Sequence, residues 1–139
     1  LQVLNRYFSV QKKLSLQRKK VVMEEWQINF EWLKTRHFVK DSLQLGKLPD
    51  LQSVLFLIGV QELGRWSEDN FSKEEKQDLI HIAVCTLLEG EYYEFEGRDQ
   101  DGWPHFKSLR PFDVKGINDQ EEFLKKKVIE YFKHSFVSN

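Results

Sequence analysis

The chain is poor in the residues that build special architectures. A single cysteine, Cys85, excludes an internal disulfide framework and suits a reducing compartment. Three prolines leave few positions at which a helix must stop. The longest unbroken apolar run, Val54 to Val60 with Gly59 counted in, is seven residues, against roughly 20 for a membrane-spanning helix. No charged-then-apolar signal opens the sequence, which starts at Leu1 with an initiator Met expected upstream. The expected location is the cytoplasm, with no membrane partner. Gly-rich phosphate loops, a Gly-x-Ser-x-Gly elbow, His-Glu-x-x-His and Cys-x-x-Cys are all missing, which argues against the common enzyme classes and points to no cofactor.

What is present suffices for a core. Of 139 residues 40% are hydrophobic and 31% charged, and eleven Phe, four Tyr and four Trp supply far more apolar surface than a disordered chain carries. The length suits one domain. No internal repeat or low-complexity tract interrupts it.

Charge is unevenly placed. Residues 1–20 hold Arg6, Lys12, Lys13, Arg18, Lys19 and Lys20 and no acid, as a basic N-terminal arm or helix. Between Glu89 and Asp101 six acids face one cation, Arg98. A basic arm can neutralise phosphates by counterion release. Yet a sequence pI near 6.5 argues against nucleic-acid binding as the main role. Pairing of the arm with the acidic segment of a second copy is the alternative use of that asymmetry.

Four helical segments are predicted. Val22, Trp26, Phe30 and Leu33 fall on one helical stripe, although Trp26, Ile28, Phe30 and Trp32 also alternate as in a strand. Helix is favoured, since Glu24-Glu25 and Leu33–Arg36 are helix formers and no turn residue bounds the alternation. Leu4, Tyr7, Phe8 and Leu14 extend it upstream, with a break near Ser15. Gly46 and Pro49 end this segment, and Asp50 is a good N-cap for the next. From Leu51 to Leu63 apolar residues cover every side, so a central helix surrounded by others is expected, ending at Gly64. Truncating Phe56 or Leu57 there should cost about 2–5 kcal/mol.

Ser72-Lys73-Glu74-Glu75 has capping-box spacing and opens a helix to about Glu89, with Ile80, Ala83, Val84 and Leu87 expected inside. Asn118-Asp119-Gln120-Glu121 repeats the start signal for a last helix carrying Leu124, Val128, Ile129, Phe132 and Phe136. Between them, residues 92–116 hold few helix formers, and a hairpin of Tyr92–Glu96 with His105–Lys107 is possible. The expected fold is mostly α: a single-domain bundle of four to five helices around a central apolar helix, with a short irregular or β-hairpin insert.

Three stretches resemble a small uncharacterised bacterial protein family of Bacteroidetes type: Leu55–Gly64, Lys73–Cys85 and Asp99–His105. The resemblance implies a bacterial cytoplasmic origin and carries over no functional residue.

The densest polar cluster is Arg98-Asp99-Gln100-Asp101-Gly102-Trp103-Pro104-His105. Asp99, Asp101 and His105 have the chemistry to ligate a metal or share acid–base work. The glycine position and Arg110 at the twelfth place exclude an EF-hand. The structural alternative is a loop closed by Asx-turns, with Gly102 at positive φ and Trp103-Pro104 docked on the core. Arg98, Trp103 and Pro104 are then candidates for contacting a partner.

A second constellation, Glu74, Asp78, His81 and Cys85, lines one helical stripe. Asp78 and His81 have the spacing of a carboxylate–histidine metal pair, but no second such pair exists for a di-iron bundle. Cys85 among Ile82, Ala83, Val84 and Leu87 reads as a small buried hydrophobe. Glu62, near the end of an apolar helix, needs a partner if buried, with Arg65 or His81 the expected choices; a Glu62–His81 pair could serve catalysis. The expected role is a non-enzymatic protein-interaction or structural module binding a protein, either another chain or a second copy of itself. The alternatives are an enzyme built on the 99–105 loop and nucleic-acid binding through the arm.

Overall fold

The computed structural model describes residues 25–66 and 70–137, the last four by their backbone alone. The basic arm, Val22 and the side chain of Phe136 lie outside the described residues.

Helix α1 occupies 25–43 and ends where Gln44 turns to a left-handed φ of 55°. Helix α2 (Leu51–Leu63) is capped by Asp50, whose Oδ1 accepts from the Ser53 amide at 2.8 Å, and closed by left-handed Gly64. Helix α3 (Lys73–Leu87) starts with the full reciprocal capping box of Ser72 and Glu75. Strands β1 (Tyr93–Arg98) and β2 (Pro104–Ser108) form an antiparallel hairpin with a bulge between Phe95 and Gly97. Helix α4 (Ile117–Val137) closes the described chain. Among the described residues the protein is therefore mostly helical with a two-stranded insert, the expected class.

Which helical face is inside differs from the expected apolar stripe on α1 but not on α3. On α1 the stripe Trp26, Phe30 and Leu33 faces outward, Trp26 being 68% exposed, and Trp26 stacks on Phe30. The buried face holds Trp32, Thr35 and Val39, with Ile28 packed against the core. Both stripes are apolar, so periodicity within the segment could not choose between them. Thr35 is tolerated inside because its hydroxyl donates to the Glu31 carbonyl at 2.8 Å.

On α3 the expected inner residues do face the core, Ala83 fully buried and Ile80, Val84 and Leu87 packed against it, and Leu79, Ile82 and Cys85 are buried as well. The helix serves two cores. Ala83 joins Trp32, Val54, Leu55, Ile58, Val128 and Ile129 in one. Leu79 and Ile82 join Leu63 and Phe71 in the other, against which Trp103 and Phe106 of the insert pack. Helix α4 begins a turn-start earlier than expected: the Gly116 carbonyl accepts from the Gln120 amide, so Asn118 lies inside the helix instead of capping it.

Helix α2 is not wrapped on all sides. Val54, Leu55, Ile58, Gly59 and Leu63 are buried, chiefly against α3, but Phe56, Leu57 and Val60 are only half-buried. One flank of the most apolar helix stays open. The expected cost of truncating Phe56 or Leu57 belongs instead to Val54, Leu55 or Ile58.

Candidate functional site

The two polar constellations meet. Residues Asp78, His81 and Cys85 from α3 and Asp99, Trp103 and His105 from the insert line one cleft of about 370 Å3, floored by Ile82 and Phe106. Both strands of the hairpin contact α3, and this brings the turn residues to the helix face that carries His81.

The turn is built around Asp99. Its Oδ1 accepts from the amides of Asp101 and Trp103 at 2.9 and 3.0 Å, and its Oδ2 sits 2.9 Å from His105 Nε2. Gly102 takes a φ of 86°, which lets its amide reach the Asp99 carbonyl. Asp101 contributes only its backbone; its carboxylate does not join Asp99 and His105. The bond to His105, then the Trp103 amide and, more weakly, the Asp101 amide, hold the Asp99 carboxyl below the usual carboxylate range against an opposing desolvation.

A lowered folded pKa has a definite pH signature. The charged Asp99 stabilises the turn fully above its unfolded value of about 4, and the gain disappears as pH falls through the lower folded value. Asp99→Asn should therefore melt below the parent protein at neutral pH and converge with it near pH 2. Thermal melts across that range check this; a gap independent of pH would contradict it.

Arg98 braces the same turn. Its guanidinium donates to the carbonyls of Gly102 at 2.8 Å and Glu62 at 2.7 Å, tying the insert to the C-terminal end of α2. Orphan carbonyls there are natural acceptors for a cation. Pro104 is buried and Trp103 half-buried against the core containing Leu63 and Phe71.

The chemistry available to the cleft is limited. His105, oriented by Asp99, has the arrangement of a general base, but its side chain is 59% exposed to water. Cys85 lies 3.5 Å from His81 Nε2, yet burial pushes its thiol up to about 11, so it is protonated at neutral pH. Among the described residues no three His, Cys, Asp or Glu side chains are grouped to hold a metal ion. The metal candidates Asp78, His81, Asp99, Asp101 and His105 thus share a neighbourhood without forming a coordination set.

Glu62 stands apart from this cleft. Its Oε1 accepts from the Tyr131 hydroxyl of α4 at 2.7 Å, so neither His81 nor Arg65 is its partner. The partner comes from 69 residues away, beyond the reach of local spacing. Burial, and then Glu62, push the Tyr131 hydroxyl well above the ordinary tyrosine range. Tyr131→Phe should cost about 1–2 kcal/mol by leaving a half-buried carboxylate short of a donor. Urea denaturation measures it, with unchanged stability as the contrary result.

A second feature escaped sequence reasoning. The open flank of α2 forms the floor of an apolar groove of about 570 Å3 between the end of α1, α2 and α4. Phe38, Leu43, Leu57, Val60, Trp66 and Phe132 line it, and Trp66 and Leu43 stand at 60% and 51% exposure. Trp66 meets Phe56 and Phe71 edge-on, which holds the indole in place while leaving much of it in water. The signal was a tryptophan just past the Gly64 helix stop, in a stretch otherwise polar from Arg65 to Asn70.

No family model, no curated protein and no solved structure matches this chain.

Proposed function

We propose that this chain is a non-enzymatic protein-interaction module that seats an apolar segment of another protein in the groove between α1, α2 and α4. The observation that carries this reading is the exposure of Trp66 and Leu43 at a preformed apolar groove. Large apolar side chains at a groove are where interface energy concentrates, and tryptophan is the residue most enriched among such anchors. The 78–105 cleft supports acid–base chemistry less well, because three bonds already engage Asp99 in holding its own turn.

As part of the same proposal the module works in a reducing, bacterial cytoplasmic setting. The lone buried cysteine supports this. Among the described residues no helix is long and apolar enough to cross a membrane.

A photo-crosslinking residue at position 43 or 66 tests the reading, with position 107 on the hairpin as control. Expected is one adduct, identified by mass spectrometry, that forms from the two groove positions and not from the control. Equal labelling from all three positions, or none, would refute it.

A further inference from the structure

We infer that the segment the groove accepts is acidic as well as apolar: a short peptide stretch with bulky apolar anchors and flanking Asp or Glu. This rests on the groove being a docking site and names the chemistry of its occupant.

The groove does not end at Trp66. A second cavity of about 630 Å3 shares Leu45, Leu57 and Trp66 with it, so the two form one trough divided by the indole. Their linings differ in charge. Among the described residues no charged side chain lines the α1–α2–α4 half. Among the described residues the other half carries Lys47, Lys73 and Lys76 and a single carboxylate, Asp50. That carboxylate is already engaged as the N-cap of α2. An occupant lying along the trough therefore meets apolar walls at one end and an excess of ammonium groups at the other.

The division of labour follows from ordinary magnitudes. Exposed lysines contribute little net affinity each, but they orient an acidic segment and reject a basic one. Affinity comes from the aromatic and aliphatic walls. The chain's own basic arm is a poor occupant, because residues 1–20 hold six cations and no acid. An amphipathic acidic segment of another protein satisfies both halves.

The test is selection of a phage-displayed library of random dodecapeptides against the full chain, followed by affinity measurement on the enriched peptides. Three variants accompany it: Trp66→Ala, Leu43→Glu, and the triple Lys47→Glu, Lys73→Glu, Lys76→Glu. Leu43→Glu attacks the groove from α1, and so remains informative if Trp66→Ala disturbs Phe56 and Phe71. Thermal melts confirm folding of each. Expected are peptides with apolar anchors and at least two acids, bound about tenfold or more weakly by either groove variant. The triple variant should reverse the preference toward basic peptides, and added salt should weaken binding to the parent.

Apolar peptides without acidic bias, still lost in Trp66→Ala and Leu43→Glu, would overturn this inference and leave the docking site standing. Peptides indifferent to both groove variants, or no enrichment, would overturn both. Concentration-dependent self-association abolished by Trp66→Ala would assign the trough to a second copy instead.

Discussion

Gly59→Ala is expected to destabilise the protein by about 3 kcal/mol or more, because α2 approaches the α3 backbone here too closely for a side chain. A Cβ built at this position would lie 3.0 Å from the Leu79 Cα and 2.6 Å from its carbonyl carbon, and nearer still to the oxygen. These are backbone atoms in the middle of α3, so no rotamer change can relieve the contact. Two opposing terms decide the sign. Alanine gains about 1 kcal/mol of helix propensity over glycine. Separating the helices loosens Val54, Leu55 and Ile58 against α3 and forfeits many dispersion contacts together. The second term wins. Melting temperature should fall by roughly 10 °C, and a variant that melts at or above the parent would show that α2 and α3 can part without loss.

The second large effect is a contrast between neighbours on α2. Ile58 is 1% exposed in the core with Trp32, Ala83 and Val128. Ile58→Ala should cost about 2–5 kcal/mol, the transfer term plus an unfilled cavity. Leu57, one residue earlier, lines both halves of the open trough. Truncating it removes apolar contact from a side chain that water already reaches and leaves no closed void, so the cost should stay below about 2 kcal/mol. Urea denaturation of the two variants measures the difference. Equal costs would mean that α2 is enclosed on the Leu57 side as well, and the trough would lose its floor. Leu57→Ala should in addition weaken peptide capture, because Leu57 lines both halves of the trough.

Element positions were largely legible from local residues. Asp50, Gly64 and the Ser72–Glu75 pair mark helix ends through bonds spanning two to four residues, and each does so in the structure. The hairpin was legible in outline from the scarcity of helix formers between 92 and 116, and its turn from Asp99 and Gly102. The start of α4 was misplaced because Asn118 has the chemistry of a cap while Gly116 supplies the first helical acceptor. The candidate site was legible only in fragments. Its α3 half and its turn half were each visible, but nothing within either stretch places Asp78 and His81 beside Asp99 and His105.

Taken alone, the order of residues decided where helices begin, where they stop and which turn needs a glycine, since backbone bonds and caps act across a few neighbours. Which face of α1 turns inward, which flank of α2 stays open, and that Glu62 finds Tyr131 were decided in three dimensions. Those outcomes depend on apolar area summed over every element at once. A helix apolar on two or more sides carries no internal preference among them until its neighbours take their places.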